Sequence, residues 1–454
     1  MRYHTLFAVL LISAALPVQA EQVDFSFGGG YVLYNQPDQQ HGAVAALPMP
    51  NGETVVVIDF PATPSLCPSA PCVALSRLSS TGVKLSERIV SRLQKVEAAT
   101  VDGSGRIIVV GPTAAPNAGD FGIMRFRADL TNDAGFGING YAAVDIRGGA
   151  DIPYAVAIDA QDYIVVGGSA TVASKDTDFA LARLQSNGQL DASFGIGGKA
   201  IVAFDLGASD FFDRVHALSI GYDGKILLAG VAFDANISLY RVALARLNKS
   251  GTLDTGFCAA ACSNPGYNTV NSGRTIYYFG ANDQHRDWLT SVDVMANGGF
   301  LIAGATEPVH WGGINGAIAR FNANGTYAAE AIEPGLGGYN SFSDVKAIDA
   351  TGTRILTFGE SDSSVVPRTL VVQAFGQSLA PIAGYGGCYT AICVQVSATP
   401  GEHYAGSLNV DSLGRPLLNG NGVATPGAMP ILLVSRLTNS TGPRRESIFR
   451  TGFN

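Results

Sequence analysis

ALARLQSNGQLDASFG, residues 180–195, is the stretch that decides the fold, because the chain repeats it. Residues 243–257 read ALARLNKSGTLDTGF, with the same start, the same Gly and the same Leu-Asp pair. Between the two copies lies an apolar run, residues 225–230, which ends in Gly and is too short for a helix. Short apolar runs between Gly-rich turns are typical of β-strands. The stretch therefore predicts a repeated β unit rather than several unrelated domains.

Each repeat is interpreted as four short strands, named A to D in chain order. Strand A is rich in small residues and ends at a tight turn such as Tyr222-Asp223-Gly224, and strand B is an apolar run ending in Gly. Strand C ends in Arg-Leu, and strand D follows a Phe-Gly-x-Gly-Gly turn. The strand-C marker recurs near every sixty residues, at 77, 125, 183, 246, 320, 373 and 436, and is Arg at all of them except Gln373. Seven markers predict seven repeats.

The two ends of the chain complement each other. The last repeat stops after Arg436 without a strand D, whereas the segment from Val23 to Tyr34 supplies Phe27, a run of Gly and a short apolar strand. A ring closed by pairing the first strand into the last blade explains this division and removes open sheet edges. The sequence predicts an all-β protein, a single seven-bladed β-propeller over residues 21–454. The predicted blades are about 41–93, 94–149, 150–209, 210–284, 285–341, 342–401, and 402–454 plus 23–35.

The repeat resembles the delta-60 repeat family of secreted or surface bacterial proteins. The resemblance is carried by Asp223 to Gly230, by Ala180 to Leu184 and by the Gly-x-Leu-Asp-x-x-Phe-Gly of Gly188 to Gly195. It covers nearly the whole mature chain, is strong in blades three and four, and decays in blades one, six and seven. The resemblance implies a propeller-like fold and no established catalytic residues.

Composition and the N-terminal sequence limit the class of protein and its cellular location. A chain of 454 residues with 47% hydrophobic and 15% charged residues is not disordered, and a net charge of -8 argues against a nucleic-acid partner. Residues 1–20 have a positive start, an apolar stretch and the small-residue end Val18-Gln-Ala20, which predicts a signal peptide cleaved after Ala20. We expect a periplasmic or secreted monomer without a membrane span after cleavage.

The six cysteines form three local pairs. They are Cys67 with Cys72, Cys258 with Cys262, and Cys388 with Cys393. An exported protein permits disulfides, and each pair sits in a loop that can bring its ends together. The alternative is a metal site, but zinc would need further Cys or His close by, and none lies inside these loops. We expect three disulfides.

The recurrent Arg and Phe residues have a structural interpretation. A residue that recurs in nearly every blade is expected to make a structural contact that each blade needs. We expect the strand-C Arg to pair with carbonyls or with carboxylates such as Asp191 and Asp254. The recurrent Phe27, Phe136, Phe194 and Phe257 are expected to wedge between blades. Sequence signatures of hydrolase elbows, zinc proteases, EF-hands and phosphate loops are missing from the chain.

A candidate ring of polar residues precedes strand A. Counting back from the small residue of strand A gives Gln40, Gln94, Asp151, Asp213, Asp287, Ser341 and His403. If strand A lines the channel, these residues surround one mouth, where the three Asp can bind a cation or a basic ligand. The alternative is that each Asp caps its own turn through backbone N–H groups. No cofactor is predicted beyond such a cation.

Blade five holds the second candidate. Trp288 enters strand A, while His310 and Trp311 lie in the loop between strands B and C. The D–A and B–C connections share one face of a propeller, and exposed aromatic groups beside polar ones suit recognition of a sugar or a protein. The alternative is that Trp311 folds onto its own blade. We predict a ligand site on this face, with Trp288, His310 and Trp311 as its aromatic edge and Asp213, Asp287 and His403 as its polar centre.

The sequence therefore favours an exported binding or scaffold module whose partner is a protein or a glycan. One alternative is a propeller hydrolase or lyase using Asp and His at the channel mouth, an idea that rests on fold analogy. A second alternative is a purely structural surface protein.

Overall fold

A computed structural model gives the fold of the chain. It describes residues 26–27, 31–34, 42–60, 72–114, 119–173, 176–206, 212–259, 262, 268–271, 273–281, 285–308, 313–333, 340–349, 352–361, 369–382, 393–395, 402–423 and 430–437. The strands, in chain order, are β1 Tyr31–Tyr34, β2 Gly42–Pro48, β3 Thr54–Phe60, β4 Cys72–Leu78, β5 Lys84–Val90, β6 Ala98–Val101, β7 Ile107–Pro112, β8 Phe121–Phe126, β9 Tyr141–Val144, β10 Asp151–Ile158, β11 Ile164–Ala173, β12 Asp176–Leu184, β13 Lys199–Val202, β14 Arg214–Ile220, β15 Ile226–Asp234, β16 Leu239–Leu247, β17 Asn268–Asn271, β18 Arg274–Tyr277, β19 His285–Val294, β20 Phe300–Pro308, β21 Asn315–Phe321, β22 Tyr327–Glu333, β23 Asn340–Ala347, β24 Arg354–Ser361, β25 Thr369–Gly376, β26 Cys393–Gln395, β27 Glu402–Val410, β28 Pro416–Val423 and β29 Pro430–Arg436. A short 3-10 turn, Phe279–Ala281, follows β18.

These strands form seven antiparallel sheets, and each sheet is one blade. Blades one to three are β2–β5, β6–β9 and β10–β13, and blades five and six are β19–β22 and β23–β26. Blade four has a fifth strand, β17, outside β18, which the sequence did not predict. The prediction of an all-β seven-bladed propeller is confirmed. Within the described residues, no helix is of a length and apolarity that would cross a membrane.

The last blade is shared between the two ends of the chain. Its sheet has the order β1-β29-β28-β27, with Tyr31 opposite Ser435 and Tyr34 opposite Leu432. The seven A strands also contact one another in an unbroken circle, β2 to β6, β10, β14, β19, β23, β27 and back to β2. Residues 1–25, which include the predicted signal peptide, lie outside the described residues.

Tight A–B turns are held by an Asp at the end of strand A. In blade two, Asp102 Oδ1 accepts the N–H groups of Ser104 (2.9 Å) and Arg106 (2.8 Å), and Gly105 takes the positive φ of 78° that the turn needs. Asp159 holds the turn of blade three in the same way, through Gln161 and Tyr163. The turn residues are therefore fixed by local chemistry, and their carboxylates are used within the scaffold.

The strand-C Arg joins one blade to the next. Arg183 Nε donates to Asp191 (2.7 Å), its guanidinium lies 4.7 Å from the centroid of the Phe194 ring, and it donates to the Lys249 carbonyl of blade four. Phe194 packs against Gly251 of blade four, and the Gly195 N–H donates to the Ser250 carbonyl (2.7 Å). The expected pairing of Arg with Asp and the expected wedge of Phe are both present here.

Other blades repeat this inter-blade contact with their own residues. Arg125, Arg246 and Arg436 lie 4.6 to 4.7 Å from the ring centroids of Phe136, Phe257 and Phe27, respectively. Arg125 and Arg246 pair with Asp133 and Asp254. For Arg436 the aromatic partner comes from the opposite end of the chain, so the same contact that joins neighbouring blades also joins the termini.

One of the three predicted disulfides is confirmed. Cys258 and Cys262 are bonded, with an S–S distance of 2.06 Å, and both lie beside the carbonyl of Gly325 in blade five. Cys72 is disulfide-bonded, but Cys67 lies outside the described residues. Cys388 and the side chain of Cys393 also lie outside them. The pairs that involve these residues stay predictions.

Candidate functional site

The three Asp residues predicted for the channel mouth are buried at the ends of the D–A connections. Each is 0% exposed, and each Oδ2 accepts a backbone N–H from the end of the preceding strand D. The donors are Ile146 for Asp151 (2.6 Å), Phe204 for Asp213 (2.9 Å) and Phe279 for Asp287 (3.3 Å). This arrangement matches the alternative in which each Asp caps its own connection. Burial raises the pKa of Asp151 to about 6 and those of Asp213 and Asp287 to about 7.

The remaining members of the predicted ring are only partly described. His403 lies in β27 opposite Gly422, at the register position of the three Asp, but its side chain is outside the described part of the chain. In blade six this register position belongs to Asn340 rather than Ser341, since Phe342 is the residue opposite the strand-B Gly359. His310 and Trp311 lie outside the described residues.

A β-bulge interrupts strand A at a recurrent position. In six blades the register of strand A against strand B shifts just after the residue that faces the end of the apolar run of strand B. A bulged residue is unpaired and bends its strand. Because strand A is the innermost strand of each blade, such residues lie next to the central channel. The residues skipped by the register are Val44, Tyr154, His216, Thr290, Ser343 and, in blade seven, Gly406 with Ser407.

Two of these bulge residues form an aromatic pair with an Arg. The rings of Tyr154 and His216 are stacked with centroids 6.2 Å apart, and Arg214 lies 5.7 Å from the centroid of Tyr154. Arg214 Nε donates to His216 Nε2 at 3.0 Å. Burial, followed by the charge of Arg214, lowers the pKa of His216 to about 4. His216 is therefore neutral near pH 7.

A cluster of carboxylates and an ammonium group adjoins this pair. Lys95 Nζ lies 2.5 Å from Glu97 Oε1, and Asp59 Oδ1 of blade one accepts the Val96 N–H of blade two at 3.1 Å. Burial raises the pKa of Asp59 to about 6 and also raises that of Glu97. The charge of Arg214 acts to lower the pKa of Glu97, so the carboxylates of blade two lie near the aromatic pair. We name Asp59, Lys95, Glu97, Tyr154, Arg214 and His216 the channel cluster.

Trp288 occupies in blade five the position that Lys95 and Arg214 occupy in their own blades. In each case the carbonyl of that residue lies against the Gly that ends the apolar run of strand B, namely Gly304, Gly111 and Gly230. Trp288 lies on an innermost strand, and its side chain is 38% exposed. Of the predicted aromatic edge, Trp288 is the residue whose side chain the structure describes.

Two clefts lie outside the channel cluster. One, of about 630 Å³, is lined by Ile146, Arg147, Ile196 and Lys199, together with Gly251 and Thr252 of blade four. The other, of about 320 Å³, lies at the A–B and C–D turns of blades four and five and includes Asp223, Lys225 and Arg246. Neither cleft is lined by the buried Asp residues or by the channel cluster.

Two groups of described residues can hold a metal ion. Asp120, Asp145 and Asp151 form one group, and Asp176, Asp178 and Asp205 form the other. In each group the ligand oxygens lie within 4.8 Å of one another. Asp151 thus belongs to a group built from two blades, rather than to a group with Asp213 and Asp287.

The sequence analysis missed the channel cluster because its members differ from blade to blade. A usable signal was nevertheless present. Three residues after each capping position of strand A comes the bulge residue, which gives Tyr154 after Asp151, His216 after Asp213 and Thr290 after Asp287. The residue three positions after Gln94 is Glu97, a member of the channel cluster.

The comparisons with known proteins agree with the fold. The family model described as "Domain of unknown function (DUF5122) beta-propeller" matches residues 164–194 and 223–257. No curated protein matches the chain.

Several solved structures resemble this one. A PL25 ulvanlyase polysaccharide lyase has a TM-score of 0.50 at 11% identity, covering 86% of this chain and 93% of its own. A protein of unknown function from Dyadobacter fermentans has a TM-score of 0.47 at 12% identity, with 89% and 96% covered. The β-propeller domain of the Trilobed protease from Pyrococcus furiosus has a TM-score of 0.45 at 9% identity, with 91% and 99% covered. At these identities the likeness concerns the fold alone.

Proposed function

We propose that the protein is an exported β-propeller that binds a glycan at the D–A end of its central channel. The observation that carries the proposal is the channel cluster, together with Trp288. Lys95, Arg214 and Trp288, whose carbonyls lie against equivalent Gly residues of strand B, place an ammonium group, a guanidinium and an indole on the innermost strands of three blades.

The chemistry of this wall suits sugars. Sugar hydroxyls donate and accept hydrogen bonds, so they pair both with cationic donors such as Arg214 and with carboxylate acceptors such as Glu97. The rings of Tyr154 and Trp288 offer apolar faces on which the C–H face of a sugar ring can pack. A site with aromatic faces and a few convergent polar groups is typical of small-molecule recognition.

The opposite face of the ring gives a useful contrast. There the turn carboxylates are engaged within the scaffold, as for Asp411, which accepts the N–H groups of Leu413 and Arg415 and pairs with Arg415 Nε at 2.7 Å. By contrast, Tyr154 is partly exposed, Trp288 is 38% exposed and Lys95 is about half exposed. Side chains that remain exposed can contact a ligand, so we place the binding site on the face of the D–A and B–C connections.

The proposal includes export and family membership. Residues 1–20 act as the signal peptide, and the mature protein is a periplasmic or secreted monomer of the delta-60 repeat type that needs no organic cofactor. The two stretches that match the propeller family model overlap those that carry the delta-60 resemblance, which supports this assignment.

The test starts with an array of neutral, uronic and sulfated oligosaccharides probed with the purified protein, followed by calorimetry on each hit. Trp288→Ala and Arg214→Gln are expected to weaken binding at least tenfold, about 1.4 kcal/mol. Tyr222→Ala is the matched control, because Tyr222 is an exposed aromatic residue on an A–B turn. Unchanged affinity in both channel variants would place the site elsewhere. A folded protein that binds no glycan would leave the structural-protein alternative ahead.

A hydrolase or lyase is the second candidate function. The observation that favours it is the pKa of Asp59, which is raised to about 6 by burial and by the charge of Glu97. A carboxyl group with a pKa near the working pH is suited to general acid catalysis. Each glycan hit should therefore be incubated with the protein and analysed by mass spectrometry. Cleavage that is lost in Asp59→Asn would establish the enzyme, and intact glycans would leave binding alone.

A further inference from the structure

Four successive blade junctions are built on the same plan. At three of them, the N–H of a residue at the start of strand A donates to a carbonyl at the start of strand C in the preceding blade, and at the remaining one Arg241 of strand C donates to the His285 carbonyl of strand A. The Asp213 N–H donates to the Thr177 carbonyl (2.8 Å), and the Asn340 N–H donates to the Ile314 carbonyl (2.8 Å). Asp151 makes the same bond to Gly119. The strand-C residue that follows each carbonyl is therefore the neighbour of the strand-A residue.

The residues at these equivalent positions differ in charge. The junctions, in chain order, hold Asp120 with Asp151, Asp178 with Asp213, Arg241 with Asp287, and Asn315 with Asn340. The third pair joins a cation to an anion, and the fourth is neutral. The first two place a carboxylate beside the buried carboxylate of Asp151 or Asp213, which is unfavourable unless a cation compensates the charge.

Further carboxylates add to the charge at the first two junctions. Asp145 joins Asp120 and Asp151, and Asp176 with Asp205 joins Asp178, with ligand oxygens within 4.8 Å in each group. The cations that act on these groups are Lys199 at the first junction and Arg147 and Arg274 at the second. They are outnumbered by the carboxylates, which include Asp213 at the second junction.

Among the described residues, one carboxylate oxygen of each buried Asp at the two junctions has no hydrogen-bond partner. Oδ1 of Asp151 and Oδ1 of Asp178 are buried without a hydrogen bond, in residues that are 0% and 6% exposed. Oδ1 of Asp213, in a residue that is 0% exposed, is in the same state. Buried carboxylate oxygens are normally hydrogen-bonded or bound to a metal. These oxygens therefore point to a ligand that supplies positive charge.

We propose that the second-to-third and third-to-fourth blade junctions each bind one Ca²⁺ ion. The first site uses Asp120, Asp145 and Asp151, and the second uses Asp176, Asp178 and Asp205, with Asp213 beside it. Carboxylate oxygens in a flexible, irregular set are the ligands of Ca²⁺, which accepts six to eight oxygens, so water or backbone carbonyls complete each shell. The ion takes the place that the guanidinium of Arg241 holds at the next junction and ties two blades together.

The first experiment measures binding to the folded full protein after removal of metal with a chelator. Calorimetry with Ca²⁺, and luminescence with Tb³⁺, should each detect two sites with Kd at or below about 1 mM, the weak limit of extracellular Ca²⁺ modules. Asp151→Asn and Asp178→Asn should each remove one site or weaken it at least tenfold. Asp223→Asn, on an exposed A–B turn, is the matched control and should keep both sites. Folded wild-type protein that binds neither ion would overturn the proposal.

The second experiment replaces the ion with a side chain. Asp178→Arg copies the third junction, so the variant should lose one Ca²⁺ site and also lose part of the increase in melting temperature that Ca²⁺ gives to the wild-type protein. Two sites retained in folded Asp178→Arg, or an unchanged effect of Ca²⁺ on its melting, would contradict the assignment. If the variant does not fold, Asp178→Asn and the wild-type titration decide the question.

Discussion

Arg241 in blade four occupies the strand-C position that Asp178 occupies in blade three: Arg241 pairs with Ala232, two residues after Gly230, and Asp178 pairs with Ala170, two residues after Gly168. Arg241 is 0% exposed, its Nη1 donates to the His285 carbonyl at 3.1 Å, and its charge acts on Asp287. A fully buried guanidinium is costly unless it is paired. The charges of Arg241 and Asp287 therefore compensate each other in the interior.

Replacing Arg241 with Met should destabilise the protein in a pH-dependent way. At pH 9 Asp287 would be left as an uncompensated buried charge, and breaking such a pair costs about 3–5 kcal/mol. At pH 5 the loss should be smaller, since the pKa of Asp287 is already raised to about 7 and its carboxyl is protonated. Denaturant unfolding at the two pH values measures the difference. The double variant Arg241→Met with Asp287→Asn should recover most of the loss at pH 9, and equal losses at both pH values would contradict the pairing.

Gly251 should tolerate a methyl group less well than another turn Gly with the same backbone. Its φ is +79°, and an added Cβ would lie 2.7 Å from the backbone N of Gly195 and 3.0 Å from the ring of Phe194. Gly52 has a φ of +82°, but its nearest contact would be 4.0 Å away. Gly52→Ala should cost about 1–2 kcal/mol for the left-handed conformation, and Gly251→Ala about 1–3 kcal/mol more for overpacking. Chemical denaturation of both variants tests this, and equal costs would mean that the Phe194 contact is loose.

His216 should make the protein less stable on the acid side. Its pKa is lowered from 6.5 to about 4, so between these values the unfolded chain binds a proton that the folded chain does not. Stability is therefore lost as pH falls through this window, by up to about 1.4 kcal/mol per pH unit. His216→Gln should remove this component, so the stability difference between variant and wild type should change between pH 6.5 and 4. A constant difference would show that His216 titrates normally. The buried Asp residues, which titrate in the opposite sense, are present in both proteins and cancel in this comparison.

Truncation of Phe27 should destabilise the protein as much as truncation of a Phe between two blades inside the ring. It is 0% exposed, lies under Arg436, and packs with residues of blades one and seven such as Ala46 and Val434. Phe27→Ala should cost about 3–5 kcal/mol, the range for a buried Phe. Phe194→Ala, in the equivalent contact between blades three and four, is the matched comparison. A loss below 1 kcal/mol for Phe27→Ala alone would mean that the N-terminal segment contributes little to the ring.

The sequence was sufficient for the scaffold because the scaffold repeats. Arg183, Asp191 and Phe194 of blade three recur with the same spacing in blades two and four, and this repetition is visible without a structure. The fifth strand of blade four was not predicted, because β17 lies in a segment that the other repeats do not share.

The candidate site was harder to predict because it depends on differences between blades. Val44, Tyr154, His216 and Thr290 share a bulge position but no chemistry, so no repeated signal marks them. The pairing of Asp120 with Asp151 also crosses a blade junction and depends on the packing of two sheets. Burial decides the pKa of Asp151, and burial of a polar residue cannot be read from its spacing.

The contact of Arg436 with the N-terminal segment has a kinetic consequence. Arg436 Nη2 and Ser26 Oγ, 3.3 Å apart, belong to residues separated by 410 positions, and β1 pairs with β29 over the same span. Contacts of such sequence separation form slowly, because most of the chain must be ordered before they are gained. During synthesis from the N-terminus, β1 has to wait until the last blade is made, and β29 then presents an open edge to other chains until β1 pairs with it. The rate of ring closure therefore sets how long the newly made protein is prone to aggregate.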